Sequence, residues 1–398
     1  MIKSHVIKLH PTKGQEAFFR KSSGVSRFAY NWALQRWKEI YEETGKGTSA
    51  YSLIKELNSI KREEFPWMME VGKCAPQYAI HNLESAFKRF FKKNAKYPVF
   101  KKKGRKDSFV AVENKEQFKQ SGLKLWIPRL GWVRCAEELR FNGKVNNMTV
   151  KRIANMWFAV VNVDTQVQPT VCENQTVVGV DLGIKYMAVC SDGRVFENPK
   201  SLSKRLEALR TAQRKLSRKQ KGSSNWKKQV ARVGRIHYKV TCARKNAIHQ
   251  ATSEIVKSAG VIVLEDLNVK GMARNKKLAR AVSDAGMGEF RRQIEYKASW
   301  AGVEVVIVDR WFPSSQLDHK TGERHSITLK DRMIYHSDGT STCRDLNAAM
   351  NLKNYYTGKV SGINASGVDV RPVLQASDDE RGIGFVNNKI LKLWLRSS

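Results

Sequence analysis

The chain has 398 residues and carries 72 Lys+Arg against 37 Asp+Glu, a formal net charge of +35. A surplus of that size repels itself in a compact state unless a polyanion neutralises it, which excludes many ordinary cytosolic enzymes. Nucleic acid is therefore the first expected partner and anionic membrane the second. At 41% hydrophobic and 9% aromatic residues the chain is too apolar for a disordered basic tail, and its length supports two or three domains with buried cores.

Met1 to His10 holds no apolar stretch long enough for a signal peptide. No run approaches the roughly 18 to 20 apolar residues of a membrane span. A cytosolic protein, nucleoid-associated when on DNA, is expected. The six cysteines, Cys74, Cys135, Cys172, Cys190, Cys242 and Cys343, lie far apart with no C-x-x-C pair. That argues against a disulfide framework and a four-cysteine zinc ribbon, and for reduced thiols.

Residues 1 to about 12 read as a short strand ending at Pro11. From Ser23, the apolar positions Val25, Phe28, Ala29, Trp32, Ala33, Trp37, Ile40 and Tyr41 follow helical spacing, one face is aromatic, and Gly45 closes the helix. A second helix holds Leu83, Ala86, Phe87, Phe90 and Phe91. It runs into Lys88 to Lys106, with ten Lys/Arg in 19 residues and no acid. A charge run is commonly just a solvated face. Interleaved Phe90, Phe91, Tyr97 and Phe100 point instead to phosphate contacts with stacking platforms, the combination that single-stranded or heteroduplex binding uses. Lys88, Arg89, Lys92, Lys93, Lys101, Lys102, Lys103 and Arg105 are the candidate contacts.

From about 108 to 165 the pattern alternates: Leu123 to Ile127, Gly131 to Val133, Met148 to Ile153 and Trp157 to Val163 read as short antiparallel strands, with Asn142-Gly143 as a hairpin turn. Gln166 to Thr176 is a polar linker. Val177 to Ile184 then opens a second half with a buried strand ending in Asp181, followed by a meander through Glu197. Lys204 to Lys245 holds 15 Lys/Arg and one acid, Glu207, in 42 residues, a helical pair suited to line a phosphate channel. Arg214, Lys215, Arg218, Lys219, Lys227 and Lys228 are the candidates there. Val261 to Glu265 is another buried strand, a helix from about Ala285 to Ala301 leads to a strand at Val303 to Val308, and a polar insert from Ser314 to Thr342 precedes a helix beginning at Asp345. The last 40 residues or so read as loosely ordered, with Phe385 to Leu395 as a possible amphipathic element.

Asp181 and Glu265 end buried strands, and Asp345 stands in the first turn of a helix whose Ala348, Ala349 and Leu352 share its inner face. Three acids converging on strand ends can hold two magnesium ions, which prefer oxygen ligands and can promote phosphodiester hydrolysis. Taken singly, each has a plainer reading: a turn residue before Gly183, a surface acid beside Asp266, and a helix-terminal charge. Pattern alone leaves both open.

Val180-Asp181-Leu182-Gly183, Leu264-Glu265-Asp266-Leu267-Asn268-Val269-Lys270-Gly271-Met272 and Arg344-Asp345-Leu346-Asn347-Ala348-Ala349-Met350-Asn351 resemble the three RuvC-type motifs of the transposon-encoded TnpB (OrfB) nucleases, relatives of type V CRISPR effectors. Upstream, Leu9 to Thr12, Arg27 to Asn31, Tyr97 to Lys101 and Ile127 to Val133 look like that family's N-terminal half, and Ile294 to Ala298 and Arg310 to Ser315 match between the second and third motifs. The resemblance implies an α+β multidomain protein. Residues 1–12 and 101–172 would form a small wedge-like β-barrel, 13–100 an inserted helical recognition domain, 173–315 with 343–360 an RNase H-like (RuvC) nuclease, 316–342 an insert and 361–398 a tail. It implies an RNA-guided DNA endonuclease, expected to be monomeric. A guide RNA would pair with double-stranded target DNA beside a short duplex motif, and Asp181, Glu265 and Asp345 would bind two Mg2+.

One region departs. Where the family places two C-x-x-C-G zinc pairs, this chain aligns Asp318 and Thr321, then Tyr335 and Asp338, with Gly322 and Gly339 retained. Without thiolates zinc is not expected. Asp318, His319, His325 and His336 are read as ordinary polar residues, and the insert as a metal-free, mobile lid. Because that lid could gate the site, a guided DNA-binding regulator with weak or no cleavage is the second reading, and a compact type V CRISPR effector the third.

Overall fold

A computed structural model describes residues 1–112, 117–168, 172–328 and 331–358. The chain divides into two units, Met1–Gln168 and Pro169–Ser398. The expected tail, including the element at 385–395, lies outside the described residues.

The first unit begins with β1 (Ile2–Leu9) and runs into α1 (Lys13–Thr44). The helix starts well ahead of the apolar pattern at Ser23 because Thr12 and Gln15 form a capping box. The Gln15 amide donates to Thr12 Oγ1 (3.3 Å), and the Thr12 amide donates to Gln15 Oε1 (3.0 Å). Gly45, at φ +66°, ends it in the left-handed conformation. Next come α2 (Ala50–Ile60), a 3-10 turn (Pro66–Glu70) and α3 (Cys74–Phe91). Trp37 of α1 stacks on Phe87 of α3 with ring centroids 4.4 Å apart.

These helices lie between β1 and the remaining strands in sequence: β2 (Ser108–Val112), β3 (Gln120–Ser121), β4 (Lys124–Ile127), β5 (Gly131–Arg134), β6 (Lys144–Ile153) and β7 (Met156–Asp164). The strands form an antiparallel sheet ordered β1-β7-β6-β2 and a three-stranded sheet β3-β4-β5. The two sheets meet at a bridge between Leu9 and Cys135. Asn142-Gly143 is not the expected hairpin turn. Gly143 (φ +146°) passes so close to Asp164 that a Cβ would collide with its carbonyl. The tight hairpin is instead β6–β7, turning through Ala154 and Asn155 at φ +50° and +65°, the two-residue positive-φ geometry that matches strand twist.

In the second unit β8 (Val177–Asp181), β9 (Tyr186–Cys190) and β10 (Val195–Glu197) form an antiparallel meander. The basic hairpin α4 (Leu206–Ser217) and α5 (Ser224–Ser258) leads to β11 (Val261–Glu265). After the short α6 (Val269–Met272) and α7 (Ala279–Ala285) come α8 (Met287–Ala301) and β12 (Glu304–Val308). Gly286, at φ +73°, separates α7 from α8, so the helix expected from about Ala285 begins at Met287. The insert pairs β13 (Met333–Tyr335) with β14 (Ser341–Cys343), and α9 (Arg344–Tyr356) follows. The sheet order is β10-β9-β8-β11-β12, with β8, β11 and β12 parallel.

Parallel strands are buried on both faces, and β11 divides its residues by the period of two. Ile262 and Leu264 pack with Ile248 and Ile255 of α5 and Phe290 and Ile294 of α8. Val261 and Val263 pack with Leu352 of α9. On that second face Gly179 of β8 meets α9 so closely that a Cβ would strike the Ala349 carbonyl and stand 2.7 Å from the Lys353 amide. Both obstacles are backbone and cannot rotate away. Gly179→Ala is therefore expected to cost about 2 kcal/mol or more, read as a lower urea midpoint. Gly24→Ala, inside α1 where a Cβ meets only the end of Arg27 at 3.8 Å, should instead gain up to about 1 kcal/mol. An unchanged midpoint for Gly179→Ala would remove the close-approach constraint.

Candidate active site

β8 and β11 are parallel neighbours, so their C-terminal residues, Asp181 and Glu265, emerge at one edge of the sheet. The contact of α9 with β8 at Gly179 brings the helix's first turn, with Asp345, to the same edge. Burial pushes the Asp181 carboxyl up to about 7, with repulsion from Asp345 and then Glu265 adding to the rise and Arg344 opposing it. Glu265 is also raised, mainly by burial, while Ser314 lowers it by donating its hydroxyl to Oε2 at 3.2 Å. Arg344 Nε lies 3.8 Å from Asp345 Oδ1. The plainer reading of Glu265 as a surface acid beside Asp266 does not hold. Asp266 is paired with Arg291 at 2.6 Å and with Arg310, and these hydrogen bonds hold it below the usual range. Glu265 faces the cluster.

Three oxygen donors at one protein edge are the ligand chemistry of a hard divalent cation. The Asp181 carboxyl is raised first by burial and then by the neighbouring carboxylates, which favours a bound cation there. The residues present therefore fit magnesium.

Sequence reasoning did not single out the residues that hold this arrangement. Asn347 donates its side-chain amide to the Leu317 carbonyl (2.6 Å), Asn351 to those of Ser314 (2.8 Å) and Leu317 (2.7 Å), and Asn354 to that of His319 (2.8 Å). Asn347 and Asn351 are fully buried. Their spacing along α9, next to an apolar face, was the available signal.

The insert also differs from expectation. Asp318, His319, His325 and His336 do not stand apart as ordinary polar residues. His336 Nδ1 is 2.8 Å and His325 Nε2 3.4 Å from Asp318 Oδ2, and His319 sits edge-on to His336 with centroids 4.9 Å apart. Burial would raise the Asp318 carboxyl, but hydrogen bonds from His336 and the Lys320 amide pull it down to about 2. The segment is a built unit anchored on α9 rather than a bare lid.

The basic candidates fall into both units. Lys88 and Arg89 close α3, where Lys88 also pairs with Glu84 at 3.1 Å. Lys92, Lys93, Lys102, Lys103 and Arg105 are exposed beyond it. Lys101 is exposed as well, but its ammonium lies 3.7 Å from the Tyr30 ring centroid, and desolvation of that end of the side chain, with repulsion from Lys106, lowers it. Arg214 and Lys215 end α4, Arg218 and Lys219 lie in the turn, and Lys227 and Lys228 sit in the first turns of α5, all exposed. The first unit also carries a groove of about 620 Å³ lined by Arg27, Phe28, Trp32, Arg36, Phe65 and Trp67, aromatic and basic in character. All six cysteines are free, and no helix among the described residues is long and apolar enough to cross a membrane.

Three family models match: "Probable transposase" of the IS605 OrfB type over residues 160–276, a helix-turn-helix domain of the same type over 1–46, and the Cas12f1-like TNB domain over 288–352. The "Putative RNA-guided DNA endonuclease InsQ" of Escherichia coli (strain K12) is 32% identical over 328 residues, covering 78% of this chain and 81% of that protein. A Streptomyces pristinaespiralis relative with the same description is 33% identical over 379 residues, covering 93% and 92%. The chain belongs to the IS605 OrfB (TnpB) family. A solved Cas12f1–sgRNA–target DNA complex covers 89% of this chain and 99% of its own at 17% identity and a TM-score of 0.35, too slight a likeness to bear on the fold. In this TnpB-family chain the span matched as helix-turn-helix is a strand followed by one continuous 32-residue helix.

The raised Asp181 carboxyl gives a pH test. The folded state binds this proton more tightly than the unfolded chain, whose carboxyl titrates at its ordinary value of 3.8. The group therefore costs stability progressively as pH rises from there through about 7. Metal-free Asp181→Asn should melt above the parent at pH 7 and converge with it toward pH 4. Added Mg2+ should raise the melting temperature of the parent only. A variant that tracks the parent at every pH would contradict the clustered-charge reading.

Proposed function

We propose that the protein is an RNA-guided DNA endonuclease, with Asp181, Glu265 and Asp345 as the carboxylates that bind two Mg2+ in a RuvC site. The observation that carries this reading is the meeting of three carboxylates at the ends of β8 and β11 and the start of α9, where burial first and mutual repulsion second push Asp181 up to about 7. The strand order β10-β9-β8-β11-β12, antiparallel over the first three and parallel over the last three, supports an RNase H-like second unit. The helices between β1 and β2 support a recognition domain at 13–100 inserted into a wedge-like domain of 1–12 and 101–172. The nuclease domain would take 173–315 and 343–360, separated by the insert at 316–342.

Bound magnesium would activate a water and stabilise the departing 3′ oxygen. The chain's own residues prepare that chemistry. Asp181, which feels the charge of both other carboxylates, would hold the metal together with Glu265 and Asp345. Ser314 fixes one oxygen of Glu265 and leaves the other to turn toward the site. Arg344 beside Asp345 limits the repulsion that the empty cluster must bear. The exposed lysines and arginines of α3, α4 and α5 supply phosphate contacts, and base pairing with the guide supplies sequence. A guided DNA-binding regulator would not need the cluster, whose ionisation destabilises the fold at neutral pH.

Protein purified with its bound RNA should cleave DNA that matches the RNA's variable end when Mg2+ is added. Asp181→Ala should abolish cutting, by a factor of about 10³ or more, while leaving DNA binding intact. Undiminished cleavage by that variant would remove the assignment. Binding should weaken steeply with salt, and substituting Lys102, Lys103 and Arg105 together should flatten the slope by about 3. A slope unchanged by the triple substitution would count against that run as a phosphate contact.

A further inference from the structure

β12 leaves the sheet beside the carboxylate edge, and the chain soon comes back to it. Val308 stands opposite Glu265 in the parallel pair, and its carbonyl accepts the Asp266 amide at 2.9 Å. Ser314 then returns to Glu265 Oε2. The loop between them, 309–313, therefore starts and ends beside the same carboxylate.

That loop is tied down on both sides. Asp309 turns it, its Oδ1 accepting the Trp311 amide (2.8 Å) and its carbonyl the Phe312 amide (3.1 Å). Phe312 enters the core, 5% exposed and edge-on to Tyr355 of α9 with centroids 5.0 Å apart. Arg310 is bound to Asp266 Oδ2, and Asp266 Oδ1 takes Arg291 of α8 at 2.6 Å. Between these anchors Trp311 is left 64% exposed. A lone exposed tryptophan needs no explanation, but an indole on a fixed mount beside three carboxylates does. Asp266 takes one N–H of Arg310, whose side chain stays 46% exposed. A guanidinium has five such donors, so the fork still offers some outward.

We infer that Arg310 and Trp311 clamp the DNA strand being cut, the indole stacking on a base next to the scissile phosphate and the guanidinium donating to a neighbouring phosphate oxygen. The inference rests on the nuclease reading of this edge and adds what holds the strand there. Three carboxylates repel a phosphodiester, so a strand entering the site needs cationic and apolar contacts close by. A planar ring accepts any base and a guanidinium fork fits phosphate with two bonds, so the clamp holds a single strand whatever its sequence. That suits a protein whose sequence reading is left to base pairing.

With RNA-loaded protein in excess over matching DNA, Trp311→Ala should slow single-turnover cutting about tenfold or more, and Arg310→Gln should slow it similarly. Trp311→Phe should keep most of the rate. Affinity for the DNA should stay within about twofold of the parent, because pairing with the guide supplies most of it. Among methylphosphonates placed singly along the strand, at least one should slow the parent and leave Arg310→Gln no slower than before, a readout that a merely structural role would not give. In the Asp181→Asn complex, 5-iododeoxyuridine placed in turn along each DNA strand should photocrosslink to Trp311. Crosslinking needs no cutting, so the two readings separate: a parent that never cuts overturns the nuclease assignment, while the crosslink still decides whether a strand is held at Trp311. A parent-like rate for Trp311→Ala overturns the clamp, as do crosslinks that map elsewhere or do not form.

Discussion

The approach of α9 to β8 at Gly179 is the constraint on which the active edge depends. A helix normally stands off a sheet by the length of its side chains. Here the absence of a Cβ at 179, with Ala348 and Ala349 opposite, lets backbone meet backbone. Only at that distance does the first turn of α9 reach the end of β8, so the third carboxylate is positioned by a missing side chain two residues before the first. The same contact fixes Leu352 over Val261 and Val263, so the hydrophobic layer and the geometry of the carboxylates cannot be adjusted independently.

Charge is distributed by the opposite logic. Thirty-five excess positive charges favour any polyanion without discrimination, and the exposed runs after α3 and along α4 and α5 concentrate that attraction. Against this background the site gathers carboxylates in a buried place, where desolvation and then repulsion keep Asp181 from full ionisation near neutral pH. Repulsion within the cluster is a cost to the metal-free fold. A bound divalent cation would convert it to attraction, so metal affinity and the instability of the metal-free fold would have one origin.

How legible each feature was follows from how local it is. The strands carrying Asp181 and Glu265 are short apolar runs ended by an acid, and the period and the terminating residue both lie within five positions. The start of α1 was also written locally, in Thr12 and Gln15, ahead of the apolar pattern that begins at Ser23. The β6–β7 turn was hidden because Ala154, with no turn propensity, takes a positive φ there, while Gly143 earns its place by passing close to Asp164 and not by turning a hairpin. The insert was least legible. Its cluster joins Asp318 to His336 and His319 to Asn347, pairs separated by 18 and 28 residues, and no periodicity connects them. Reading its positions for cysteine alone emptied a region that the fold fills with imidazole and carboxylate.

The asparagines of α9 explain why that insert matters to the site. A buried Asn must satisfy its amide, and Asn347, Asn351 and Asn354 do so by gripping carbonyls of the segment 314–319. That segment begins with Ser314, the hydrogen-bond partner of Glu265, and ends with His319, which returns to Asn347. One helix therefore presents Asp345 directly and orients Glu265 at second hand, through a loop held by these hydrogen bonds and by Leu317, its buried apolar side chain. Replacing Asn351 by Leu would keep the volume but orphan the Ser314 carbonyl and leave that of Leu317 to Asn347 alone, and the penalty would fall on the orientation of Glu265 before it fell on the sheet. The position of the insert and the geometry of the carboxylates are thus two readings of the same row of amides.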